Sequence, residues 1–197
     1  LGATGRIGAI LRRAVAPGTR LARTVDLSLS GQFRDAPAAD WRPFVVRLRL
    51  AAGRGFLCRS RVGSRRGPDW VGIDYLSGRD ARSQRFFGNL VPVVDREDAS
   101  TARAAVGQRL LACVWLPSVL LPSSGARWAP ADARRASVRL DGPATEPALN
   151  LTVDEEGQLR LVTLLRYRPT RTGVDSLVPF GLRVEGSARF DGYTVPS

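Results

Sequence analysis

Apolar and polar residues alternate along most of this chain. Val25, Leu27, Leu29 and Phe33 alternate with Asp26, Ser28, Ser30 and Gln32, the period of a strand with one buried face. Phe44, Val46, Leu48 and Leu50 repeat the pattern against Val45, Arg47 and Arg49. Beyond the turn residues Gly53-Arg54-Gly55, Phe56, Cys58 and Ser60 face away from Leu57, Arg59 and Arg61. Residues 70–76 and 81–87 flank Ser77-Gly78-Arg79-Asp80, a hairpin signal. Residues 90–94 include Pro92, which suits an edge strand or a strand end. A short strand at 126–130 precedes strands at 136–140, 149–153 and 158–167, and residues 177–185 and 187–195 close the series. Loops fall at 35–40, 63–68 and 169–175, and turns at Asp141-Gly142-Pro143 and Asp154-Glu155-Glu156-Gly157. Roughly ten to twelve strands at this spacing predict an antiparallel meander that curls or closes.

Two stretches break the period of two. Ala102, Ala105, Val106, Leu110, Cys113 and Val114 recur at three and four residues, which predicts a helix over 101–116. Asp98 or Ser100 supplies its N-cap, and Pro117 ends it. Residues 1–16 form a short amphipathic helix bearing Ile7, Ile10, Leu11 and Val15. The expected fold class is α+β, mostly β. It is a large curved antiparallel sheet, half-barrel-like and wrapped on the central helix, with the N-terminal helix beside it. One domain spans 1–197. A membrane-spanning helix needs about 20 continuous apolar residues, and Arg103, Gln108, Arg109 and Pro117 interrupt the best run.

Charge changes this picture more than composition does. The chain has 30 basic and 18 acidic residues, a net charge of +12, and no His. Every basic residue is Arg, and the arginines are spread along the strands rather than gathered in one stripe. Coding bias toward Arg and Ala is one source of that excess. Without Met the chain is read as a truncated fragment. No signal segment is visible, which favours the cytoplasm over the envelope.

Missing His removes Ser-His-Asp and Cys-His nucleophile systems and imidazole metal ligation. Cys58 and Cys113 are too few for a zinc site and read as two buried thiols, with a disulfide between them as the alternative. No metal and no cofactor is expected. Gly2, Gly5 and Gly8 give G-x-x-G-x-x-G, which resembles a dinucleotide phosphate loop, but hairpins follow rather than a second βα unit. The helix reading is therefore preferred there. Among carboxylates, Asp154, Glu155 and Glu156 sit in a turn, and Glu97 and Asp98 suit a helix start. Asp74 lies mid-strand between Ile73 and Tyr75, and a structural ion pair with an arginine of a neighbouring strand is preferred to catalysis.

Several segments in order resemble an uncharacterised bacterial family of unknown function, DUF6544. They are A-P-G-T at 16–19, W-R-P-F at 41–44, G-R-G-F at 53–56, V-W-L-P at 114–117, L-L-P at 120–122, A-R-W at 126–128 and F-D-G-Y-T-V-P at 190–196. The resemblance implies no activity. Relatives carry a Glu near the helix end where this chain has Ala112, lack the glycine-rich loop, and continue past the last segment. The expected architecture also looks like the curved sheet of the lipoprotein carriers.

Three functions follow as expectations. The first is a non-catalytic module for an apolar or lipid-like ligand in the concave face, lined by Trp41, Phe44, Tyr75, Phe87, Trp115, Trp128 and Tyr193. The second is binding of an anionic partner through Arg47, Arg49, Arg59 and Arg61, which alternation puts on one sheet face, with Arg65 and Arg66 in the loop beyond. Peripheral membrane contact fits this reading, and nucleic acid is disfavoured. The third, an enzyme using carboxylate and arginine without His, is the least favoured.

Overall fold

The computed structural model describes residues 3–63, 68–88, 90–140, 146–168 and 176–197. An N-terminal helix, α1 (Ala3–Ala14), precedes six strands. These are β1 (Thr24–Phe33), β2 (Arg42–Ala51), β3 (Gly55–Val62), β4 (Trp70–Ser77), β5 (Asp80–Phe87) and β6 (Val91–Arg96). Helix α2 (Ala99–Ala112) and three single 3-10 turns follow. The remaining strands are β7 (Arg127–Pro130), β8 (Arg135–Arg139), β9 (Leu149–Val153), β10 (Leu159–Arg168), β11 (Ser176–Arg183), β12 (Ser187–Phe190) and β13 (Tyr193–Pro196). Among the described residues the fold is mostly antiparallel β with two helices, and no sheet closes. The chain divides into two compact units, Thr24–Ala105 on the one hand and Leu1–Arg23 with Val106–Ser197 on the other.

In the first unit, β1 to β6 pair in chain order, each antiparallel to the next. Register fixes the faces. Val25, Leu50, Phe56, Leu76 and Ala81 lie in one row across five strands. Leu50, Phe56, Leu76 and Ala81 are buried. The next row on that face holds Leu27, Leu48, Cys58, Asp74 and Ser83. The β2–β3 turn needs glycine at Gly55, whose φ is 144° and whose added Cβ would stand 1.8 Å from the Leu76 carbonyl oxygen.

In the second unit, five strands pair in the order β11-β10-β9-β8-β7. Ala136, Val138, Leu149, Leu151, Val162 and Leu164 form its buried strand core. From α2 and the 3-10 turns, Leu110, Val114, Leu116 and Leu120 are buried as well. A Cβ at Gly107 would stand 2.7 Å from Cγ of Arg166 on β10, so this close approach of helix to strand requires glycine. Leu11 and Val15 anchor the N-terminal segment, and Val15 bridges to Tyr193.

Three boundaries differ from expectation. The 101–116 helix begins earlier, at Ala99, because the Asp98 carboxylate accepts the Thr101 N–H at 2.7 Å and caps it. It ends earlier too, at Ala112. The chain then tightens into 3-10 turns at Cys113–Trp115, Pro117–Leu120 and Pro122–Ser124, two of which carry proline at the first position, where a missing N–H costs nothing. The run 187–195, expected as one strand of the sheet, is a separate two-stranded hairpin. Asp191 and Gly192, at φ 46° and 85°, turn it back on itself. The glycine string lies in α1 as far as it is described, with Gly5 and Gly8 helical, so it is not a strand-to-helix phosphate loop. Gly2, Arg65, Arg66, Asp141-Gly142-Pro143 and the 169–175 loop lie outside the described residues.

Candidate functional site

The β2–β3 ladder puts Arg47, Arg49, Arg59 and Arg61 on one face, opposite in parity to Leu48, Leu50 and Phe56. All four are exposed, but their partners differ. Arg49 makes a fork to Asp26 on β1, with Nε 2.7 Å and Nη2 2.9 Å from the two carboxylate oxygens. That hydrogen bonding holds the Asp26 carboxyl below its ordinary range. Arg61 reaches Asp69 only at 4.0 Å. Arg47 and Arg59 face each other directly across the two strands, and among the described residues neither has an acidic partner. Val45 and Leu57, on the same face, are 48% and 52% exposed.

The second unit contains an apolar pocket of about 70 Å³ that is partly open to the surface. Ile10, Leu11 and Ala14 of α1 line it with Val114, Leu120, Trp128 and Val195. Arg13 and Arg160 also reach it, but both are engaged elsewhere. Arg13 donates to the Glu156 carbonyl at 2.7 Å, and Arg160 pairs with Asp154 at 2.7 Å. A second, polar cleft of about 300 Å³ lies against Ile7 and Arg13 and is walled by Asp132, Arg135, Asp154 and Glu155.

A model of a family of unknown function, DUF6544, matches residues 9–197. The chain belongs to that family. Neither a curated protein nor a solved structure matches it. What this DUF6544 chain can do therefore rests on its own side chains.

The seven aromatic residues expected to line one cup fall in both units. Trp128 lines the apolar cavity, and its indole N–H donates to the Leu120 carbonyl at 2.7 Å. Trp115 instead donates to the Pro196 carbonyl at 3.0 Å. The Tyr193 hydroxyl accepts the Ala22 N–H at 2.6 Å and donates to the Arg20 carbonyl at 2.9 Å. Trp115 and Tyr193 thus fasten chain segments and do not line the cavity. In the six-stranded sheet, Phe44 and Phe87 share a row and a face. Tyr75 stands on the other face, between Leu57 and Arg82. Trp41 lies just before β2, half exposed, with the Arg34 guanidinium 4.5 Å from its ring centre.

Several described carboxylates of the DUF6544 chain are held rather than poised. Asp74 accepts from Arg85 at 2.9 and 3.1 Å and from the Ser83 hydroxyl at 2.6 Å. Its side chain is 15% exposed. Sequence alone places Asp74 mid-strand; only the register singles out Arg85. Arg109 and Glu146 form a second half-buried pair at 2.8 Å that the sequence reading missed, since the acid lies in a stretch with no periodicity. The turn acids are likewise engaged. Asp132 is lowered by the Arg134 N–H and the Arg135 side chain. Burial raises Asp154, but the Gln158 N–H and Arg160 outweigh it and the net shift is downward. Glu155 pairs with Arg134. Cys58 and Cys113 are buried thiols that are not joined in a disulfide. Burial pushes the Cys113 thiol up to about 12, which leaves it a poor nucleophile at neutral pH. Ala112 is buried one residue before it. Among the described residues no group of acids and thiols could hold a metal ion, and no described helix is long and apolar enough to cross a membrane.

Proposed function

We propose that this DUF6544 chain is a non-catalytic module that binds the anionic surface of a membrane through the arginine face of its six-stranded sheet. The observation that carries the reading is the exposed cross-strand pair Arg47 and Arg59. Like charges directly opposite on a sheet cost stability, and a lipid phosphate or carboxylate between them turns that cost into two charge-assisted hydrogen bonds. The exposed Val45 on the same face, toward the strand end, favours a lipid surface over nucleic acid, whose backbone offers no apolar contact at that position.

A second reading, a small apolar ligand in the cavity beside α1 and Trp128, is supported by the apolar lining there. Its volume of about 70 Å³ suits a fragment of a few methylenes, whereas ligand pockets commonly reach about 300 Å³ or more. Catalysis has less support, because Asp74 and Glu146 are each neutralised by an arginine.

Sedimentation with phosphatidylcholine vesicles, with and without phosphatidylglycerol, tests the membrane reading. Binding only when phosphatidylglycerol is present supports it. Equal binding to both overturns it, and so does binding to duplex nucleic acid in place of vesicles.

A further inference from the structure

Apolar exposure in the six-stranded unit is concentrated at one end of the sheet. By the up-and-down strand order, that end holds the β1–β2, β3–β4 and β5–β6 connections. Phe33 and Trp41 are 40% and 50% exposed, Trp70 and Phe87 37% each, and Leu90 and Val91 85% and 56%. Phe44, Val62, Trp70, Phe87 and Val91 form one row across five strands. Trp70 and Phe87 contact each other with ring centres 5.2 Å apart. At the other end of the same sheet the outermost row, which lies on the opposite face, is Thr24, Ala51, Gly55, Ser77 and Asp80, all small or polar, and the apolar row inside it, with Leu50, Phe56 and Leu76, is buried. The contrast runs along single strands. On β4, Leu76 is buried and Trp70 is exposed, with Asp74 and its Arg85 partner between them.

Large apolar side chains at the strand ends of one edge, with small or polar ones at the other, call for a partner that touches several of these strand ends at once. The rings also carry cations. Arg34 stacks on Trp41, and Arg42 lies 5.7 Å from the Phe33 ring centre. Aromatic bodies with charged heads suit the headgroup zone of a bilayer, where one side is apolar and the other wet. Among the described residues there, Arg34, Arg42 and Arg61 are matched in number by Asp35, Asp40 and Asp69. Arg47 and Arg59, which have no acidic partner among the described residues, lie behind the rim. Arg59 is three residues back from Val62 along β3, about 10 Å at the usual strand rise. A rim seated at the boundary of the hydrocarbon would hold the Arg47 and Arg59 backbones just outside a headgroup zone that is roughly 5–8 Å deep per leaflet, with its phosphates within reach of the long arginine side chains.

The geometry points to an end-on membrane anchor. The aromatic rim Phe33, Trp41, Trp70, Phe87, Leu90 and Val91 inserts into the interface of an anionic bilayer, and the arginine face meets its phosphates. This rests on the membrane reading above and adds the inserted element and its orientation.

Tryptophan emission tests it on the full chain. The chain has four Trp residues, and replacing Trp115 and Trp128 with Phe leaves Trp41 and Trp70 as reporters. On phosphatidylcholine–phosphatidylglycerol vesicles, emission shifts to the blue and brominated acyl chains quench it. In the otherwise unchanged chain, Trp41→Ser with Leu90→Ser, both at exposed sites, lowers vesicle partition by about tenfold or more. Vesicle binding without shift or quenching overturns the anchor and leaves the arginine reading standing. Quenching that survives Arg47→Gln with Arg59→Gln keeps the rim and overturns the arginine face. A blue shift that grows with protein concentration in the absence of vesicles overturns the anchor in favour of contact between copies.

Discussion

Arg47 on β2 and Arg59 on β3 stand directly opposite each other on an exposed sheet face. Neither pairs with an acid among the described residues, while Arg49, one row along, is forked to Asp26. Such a pair is a cost to the fold. Arg59→Gln therefore leaves stability unchanged or raises it by about 0.2–1 kcal/mol, while it weakens binding to anionic vesicles. Urea unfolding checks the first part and sedimentation the second. Loss of stability on substitution would mean that the pair has a structural partner.

Removing the two partners of the half-buried pair has unequal effects. The Asp74 side chain is 15% exposed and that of Arg85 39%. Arg85→Leu leaves a poorly hydrated carboxylate unpaired. Asp74→Asn leaves an arginine that still reaches water. The first is expected to cost about 2–4 kcal/mol and the second about 1–2 kcal/mol. Denaturant unfolding of both, and of the double variant, measures the coupling.

Gly107→Ala destabilises the chain even though alanine is the better helix former by about 1 kcal/mol. The new methyl would stand 2.7 Å from the Arg166 Cγ, too near the β10 backbone for the side chain to swing clear. Arg166→Ala in the same chain relieves the clash, so the double variant regains stability relative to Gly107→Ala alone. Thermal unfolding of the three variants decides it.

Acid unfolding follows from the depressed carboxylates. Arg82 holds Asp95 below its ordinary value through hydrogen bonds at 2.7 and 2.5 Å, and Asp26 and Asp132 are lowered in the same direction. A lowered folded pKa contributes stability above the unfolded value, near 3.8, and that contribution is lost as pH falls through the lower folded value. Stability is thus flat around neutrality and declines below about pH 4. Asp95→Asn flattens part of that decline, read as the midpoint of urea unfolding against pH.

Both thiols are buried in the native state. Cys113 is buried, donates to the Arg109 carbonyl at 3.3 Å and titrates near 12. A thiol-specific chromogenic reagent at pH 8 is expected to label neither cysteine before unfolding and both after it. Rapid labelling of native protein would place a cysteine at the surface.

Alternation made the strands legible, because each sheet buries one face and the period of two is written directly into β1, β2 and β3. It also put the four arginines on a common face. It could not distinguish Arg49 from Arg47, since the Asp26 partner depends on the β1–β2 register. Asp191-Gly192 is a readable hairpin signal, overridden by the apolar alternation on either side of it. The end of α2 was obscured because 3-10 turns at Cys113–Trp115 and Pro117–Leu120 continue the apolar run without helical geometry. Nothing in the spacing of the aromatic residues assigned Trp128 to the cavity beside α1 and Trp70 to an exposed rim.

The most direct measurement is a salt series of vesicle binding for the chain and for Arg47→Gln with Arg59→Gln, using phosphatidylcholine–phosphatidylglycerol vesicles. The arginine face predicts steep weakening with salt for the unchanged chain. It predicts about thirtyfold weaker binding for the double variant at low salt, at about 1 kcal/mol per arginine near the surface, with a shallower salt dependence. Indistinguishable curves for the two proteins would contradict it.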